Sequence, residues 1–177
     1  LSADKSMIIA PAGYGKTYTI AECIASYDGK KKILVLTHTH AGVASLREKF
    51  NQKQLSPSSY HLETICSFAL NLTRVFHINK DEMPQSSDAG ALFLFAVEHA
   101  TKILRAQPIK RSIFIKYDHL IVDEYQDCTT GQHQMIMALS NTLKTHILGD
   151  PLQGIFGFRR ESIVNFSDAS FAPFNDN

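Results

Sequence analysis

The sequence predicts an α/β fold, a parallel sheet sandwiched between helices. Three observations predict it. Short runs of Ile, Leu and Val recur along the chain, segments with helical apolar spacing separate them, and 177 residues suffice for one domain with a real core. Residues 6–10 (SMIIA) read as the first strand, followed by a helix over "KTYTIAECIASY" that Asp28 and Gly29 close. Residues 32–37 (KILVLT) form a second strand running into a helix near 41–50. After the polar loop "NQKQLSPSS" a short strand is expected at 58–62, then a helix over "TICSFALNLTRVF". Residues 79–90 (NKDEMPQSSDAG) are the most linker-like segment. Asp88 is placed to cap the next helix, whose apolar face holds Leu92, Phe93, Phe95, Ala96, Val97, Ala100, Ile103 and Leu104. A strand at 119–123, a helix near 131–141 and a strand at 144–148 complete the alternation, and the tail "SFAPFNDN" reads as a loose end. There is no internal repeat and no low-complexity segment.

Composition narrows the function classes. Lys plus Arg is 18 and Asp plus Glu 17, a net charge of +1, so bulk charge does not announce a nucleic-acid partner. Cys23, Cys66 and Cys128 lie far apart without CxxC spacing, which suits a reducing, cytoplasmic setting and no zinc site. No apolar stretch approaches the ~18 residues of a membrane span, so no membrane partner is expected. Residue 1 is Leu rather than Met, the expectation for a processed or excised chain.

The chemistry begins at "APAGYGKT", residues 10–17, between the first strand and its helix. A glycine-containing turn there lets the backbone N–H groups of Ala12, Gly13, Tyr14 and Gly15 wrap a phosphate chain at a helix N-terminus. Lys16 then reaches the β- and γ-phosphates, and the Thr17 hydroxyl ligates Mg²⁺. Ala10 stands where the usual pattern has glycine, while Gly13 and Gly15 keep the tight part of the turn. A second acidic feature, "LIVDEYQDCT", ends an apolar strand in Asp123 and Glu124. Ionised groups resist desolvation, so something at that strand end must welcome negative charge. With a nucleotide on the loop, Asp123 holds the Mg²⁺ shell and Glu124 polarises the attacking water. His38 and His40, two apart at a strand end, are not read as a metal site without a third ligand. Lys30, Lys31 and Lys32 read as a solvated turn, and Lys110, Arg111 and Lys116 as a surface or strand-binding face.

With these residues in view, the chain resembles the UvrD/Rep-like branch of superfamily 1 helicases. Five motifs in order carry the resemblance across residues 8–161. "APAGYGKT" is similar to motif I, "LTHTHAGVASLREK" to motif Ia and "TICSFA" to motif Ic. "DEYQDC" is similar to motif II and "LGDPLQGIFGFR" to motif III, and these two are the specific ones. The resemblance implies a P-loop, RecA-like domain that binds MgATP, spanning residues 1–177, with 79–118 as a reduced helical insert. It implies that Gln153 senses the γ-phosphate, that Arg159 contacts it, and that Gln126 couples the nucleotide to the strand-binding surface. Thr39, His40 and Thr64 would touch the DNA backbone, while Phe156 and Phe158 stack on bases of a single strand, DNA foremost with RNA open.

Several positions depart from the family pattern. His40 replaces an Asn, Ala41 a Lys and Cys66 the motif Ic histidine. Tyr18, counted with the nucleotide-binding residues, stands where an Arg often lies near the base. No residue among 1–9 supplies the adenine-reading glutamine, so ATP preference comes from the resemblance alone. Only 58 residues separate Thr64 from Asp123, too few for the large subdomain of bigger members. Nothing after Arg159 resembles motifs IV to VI. The expectation is the first motor domain of something longer, or a reduced relative, nearly inactive until a second RecA-like domain supplies arginine fingers. Two other functions fit the same motifs: a nucleic-acid-dependent NTPase that does not unwind, and a nucleotide-dependent binding module.

Overall fold

The computed structural model describes residues 3–11, 15–76, 82–85, 87–150, 164 and 171–175. Five strands, β1 (Lys5–Ile9), β2 (Lys32–Thr37), β3 (Tyr60–Thr64), β4 (Tyr117–Val122) and β5 (Lys144–Gly149), form one sheet in the order β1-β5-β4-β2-β3. Every pairing is parallel. The helices are α1 (Lys16–Ala25), α2 (His40–Gln52), α3 (Ile65–Phe76), α4 (Ala89–Ile103), α5 (Gln107–Lys116), α6 (Thr130–Ser140) and the short α7 (Ala172–Asn175). A 3₁₀ turn, Tyr125–Asp127, follows β4. The α/β class and the helices flanking a parallel sheet are as the sequence predicts.

Both faces of the sheet are covered, which is why β2 and β4 read as unbroken apolar runs rather than alternating ones. Ile33 and Val35 of β2, Ile121 of β4 and Leu148 of β5 pack against Ile20 and Ile24 of α1 and Leu46 and Phe50 of α2. On the opposite face Leu34, Leu36, Leu120, Val122 and Ile147 meet Phe68 and Leu72 of α3, Ala96 and Ala100 of α4, and Ile136 of α6. The helix boundaries follow their caps. Thr39 accepts from the Gly42 N–H, Asp88 from the Ala91 N–H, and Thr129 forms a reciprocal capping box with Gln132.

Three expectations need correction. The third strand begins at Tyr60 rather than at residue 58, because Ser56 to Ser59 knit a turn of their own. The Ser59 N–H and hydroxyl both donate to the Ser56 carbonyl, at 3.0 and 2.7 Å, so side-chain bonding competes with the ladder there. Helix α5 had no predicted counterpart: Ile113 is buried and Ile109 partly so against the core, while Phe114 and Ile115 stay exposed, so its apolar stripe is only one turn long. Pro108 sits in its first turn, where a missing N–H costs nothing. The tail is not loose. Phe171 and Phe174 are buried in the larger core, with the Phe171 ring edge-on to Tyr125 at 5.7 Å.

Candidate nucleotide site

The site lies where β1 and β4 end. The β1 ladder continues past the strand, with the Ala10 N–H donating to the Gly149 carbonyl at 3.2 Å. Gly15, at φ 79°, ends the loop in the left-handed region that glycine enters without strain, and α1 starts at the next residue. That start buries Lys16, whose Nζ donates to the Ala10 carbonyl at 3.1 Å and lies 3.8 Å from Glu124 Oε2. Thr17 follows half-buried, and Tyr18 is exposed with Lys53 Nζ 4.1 Å from its ring centre. Ala12, Gly13 and Tyr14 lie outside the described residues.

On the other side, the Asp123 N–H donates to the Leu36 carbonyl at 2.9 Å, which extends the β4–β2 pairing by one residue. Asp123 is 4% exposed, and its carboxylate accepts from the Glu124 N–H at 3.0 Å. Burial, then the Glu124 charge, pushes the Asp123 carboxyl up to about 6, and Lys16 offsets this only in part. Glu124 itself sits at φ 53°, a left-handed conformation costly for a side-chain-bearing residue and common where function fixes the backbone. The turn is held from behind: Tyr125 is fully buried and its hydroxyl lies 2.9 Å from His133 Nδ1 of α6.

Gln126 joins the pieces. Its Nε2 donates to Glu124 Oε2 at 2.6 Å, and its Oε1 accepts from the Asp150 N–H at 2.9 Å, just past β5. Lys16, Glu124, Gln126 and the end of β5 thus form one connected set, with the Glu124 carboxylate facing the buried ammonium and Asp123 near enough to feel the same charge. An arrangement short of positive charge suits a hard cation that arrives with a polyphosphate. Among the described residues no group of three or more His, Cys, Asp or Glu side chains forms a metal cage. Thr17 and Asp123 are the residues that could hold Mg²⁺, with phosphate oxygens completing the shell, the usual way this ion is bound.

The predicted strand-binding residues are placed less uniformly. Thr39 and His40 are exposed at the start of α2, with the Thr39 hydroxyl engaged as its cap. Thr64 is 4% exposed, and its hydroxyl accepts from the Ser67 N–H at 3.0 Å at the start of α3. Gln126 is buried, bonded to Glu124 on one side and to the Asp150 backbone on the other. Gln153, Phe156, Phe158 and Arg159 lie outside the described residues. Sequence reading missed the Ala10 carbonyl, Tyr125 with His133, and the Asp150 backbone. The first and last act through main-chain atoms, which residue types do not reveal. Cys66, at the motif Ic histidine position, accepts from Gln132 Nε2 at 3.3 Å and ties α3 to α6.

Residues 1–159 match the model of a family described as an AAA domain. The chain belongs to that family. Among curated relatives, an ATP-dependent helicase/nuclease subunit of Oenococcus oeni is 37% identical over 99 residues, which is 56% of this chain and 8% of that protein. The exonuclease/helicase subunit RexA of Lactococcus lactis is 39% identical over 61 residues, 34% of this chain and 5% of its own length. The Gabija protein GajB of Bacillus cereus is 37% identical over 76 residues, covering 41% of this chain and 15% of GajB. The chain thus spans a small part of each relative. The resemblance to UvrD-like superfamily 1 helicases read from the motifs is borne out. No described helix is long and apolar enough to cross a membrane.

Proposed function

We propose that this chain is the ATP-binding motor domain of a UvrD-like DNA helicase, coupling hydrolysis to movement on single-stranded DNA once a second RecA-like domain completes it. The observation that carries the reading is the juxtaposition of Lys16 and Glu124 across the two strand ends, 3.8 Å apart. In this reading residues 1–177 form one P-loop domain, with 79–118 as its reduced helical insert. Lys16, held by the Ala10 carbonyl, is positioned to meet phosphate charge as the nucleotide enters. Released from that ion pair, Glu124 is free to take a proton from the attacking water, and Gln126 keeps its carboxylate oriented. Mg²⁺ held by Thr17 and Asp123 would neutralise charge on the phosphate oxygens. Because Gln126 also holds the Asp150 backbone after β5, a shift of Glu124 would be felt at the end of that strand. It would be a physical route from nucleotide state to the end of β5, which precedes the residues expected to bind the strand. Arginine fingers from a second domain are worth ~10³ to 10⁵ in rate for phosphoryl transfer, so the isolated chain should bind ATP and turn it over very slowly.

The test combines calorimetry with turnover. Lys16→Ala should lose tight MgATP binding while melting normally, and Glu124→Gln should bind but not hydrolyse in the complete protein. A folded Lys16→Ala variant with unchanged ATP affinity overturns the reading. DNA-stimulated hydrolysis without strand displacement would favour a motor that moves but does not unwind.

A further inference from the structure

Thr37 ends β2 beside the acidic pair. Ile33 and Val35 of β2 share the α1/α2 face with Ile121 of β4, and alternation puts Thr37 and Asp123 on that same face. The register pairs Leu36 with Val122, so Thr37 and Asp123 are the next neighbours across the two strands. Thr37 is 0% exposed, yet its hydroxyl has no hydrogen-bond partner among the described residues. It points at the first turn of α2, where a Cβ on Gly42 would stand 2.6 Å from Thr37 Oγ1. A buried hydroxyl without a partner is a net cost to the fold, and valine would fill the same space without it. Thr37 therefore makes sense if its partner arrives with a ligand.

We propose that Thr37 is a positioning residue for the nucleotide site, its hydroxyl bonding a water of the hydrated cation that Asp123 binds. The inference rests on the proposed function. It explains why a polar residue closes an otherwise apolar strand face, and why glycine stands at position 42, where a side chain would crowd the hydroxyl. Thr37 touches neither phosphate nor attacking water in this scheme; it acts through the cation's hydration.

The test uses the full chain with Thr37→Val and Thr37→Ser. Melting curves are recorded without ligand, ATP affinity is measured without Mg²⁺, and Mg²⁺ is titrated into the ATP-loaded protein by calorimetry. Thr37→Val should melt at or above the parent and bind free ATP equally well. Its Mg²⁺ affinity should fall ~10-fold, the lower end of what loss of an outer-shell partner costs, and Thr37→Ser should restore it. A valine variant with parental Mg²⁺ affinity overturns the proposal. So does one that melts well below the parent, since the hydroxyl would then serve the fold. A parent chain that binds no ATP with Mg²⁺ overturns the functional reading and this inference together. A normal parent with a silent valine removes Thr37 alone.

Discussion

Burial lifts the Asp123 carboxyl from an ordinary 3.8 to about 6, with the Glu124 charge adding to the rise. An acid held above its usual value binds its proton more readily folded than unfolded. Its contribution to stability is therefore complete below about pH 4 and is lost as the pH rises through 6. The shift amounts to a ceiling of about 3 kcal/mol, at 1.36 kcal/mol per unit. Asp123→Asn should accordingly raise the melting temperature at pH 8 and have little effect at pH 4, while weakening the Mg²⁺ dependence of ATP binding. A variant equally stable to the parent at both pH values would contradict the electrostatic account. Lys16, Asp123 and Glu124 were legible because phosphate loops and acidic strand ends repeat fixed spacings that local chemistry demands. The place of Thr37 beside Asp123 was not, since it depends on the register between β2 and a strand far along the chain. Thr64 shows the converse: its motif was readable, its burial as a helix cap was not.

At the level of elements, the N-terminal halves of β1, β4 and β5 are joined by a buried polar chain. Ser6 Oγ lies 2.7 Å from His146 Nδ1, His146 Nε2 lies 3.1 Å from His119 Nδ1, and His119 Nε2 lies 3.7 Å from an Asp118 oxygen. One tautomer set suits all three: Ser6 donates to His146, His146 donates to His119, and His119 turns its remaining N–H toward the carboxylate. Burial, reinforced by His119, holds His146 down at about 4, and burial likewise lowers His119. A histidine held below 6.5 contributes stability that is present above 6.5 and lost as the pH falls toward 4. His146 alone accounts for up to about 3 kcal/mol of that loss. Melting curves of His146→Gln between pH 4 and 8 should show a flatter acid limb than the parent, and equal acid slopes would refute the assignment. Strands such as β2 were readable because both faces are apolar, so no competing pattern exists. Helix α5 was not, because its core contact is only Ile113 with Ile109 one turn before it, too short a stripe to set a period. The burial of Phe171 and Phe174 was equally hidden, since their neighbours in sequence are small and polar while their partners lie in the core.

Taken as a whole, the molecule places its most local chemistry on its least local pairing. Strand β1, which precedes Lys16, pairs among the described residues only with β5, Lys5 opposite Thr145 and Ile9 opposite Gly149. Its outer end is open, with Ile8 38% and Ile9 58% exposed, whereas β4 is bonded on both sides and buried. The overall α/β layering was legible from alternation, but this strand order was not, because nothing local in "KSMII" says which strand lies beside it. The order has a consequence for assembly. Strands β1 and β5 are the most widely separated partners in the sheet, and loop closure costs more the longer the loop, so this pairing is expected to form after the shorter-range ones. The sheet around β4 and β2 can therefore exist before β1 docks, and the folded chain can release β1 without losing that sheet. Amide hydrogen exchange should show the β1 amides exchanging ahead of those in β4, and added MgATP should slow β1 selectively. Equal protection of both strands in the ligand-free chain would refute this order. If it holds, a nucleotide bound as proposed, between α1 and the acidic strand end, would also act as a clasp that fastens the last strand of the sheet to the rest.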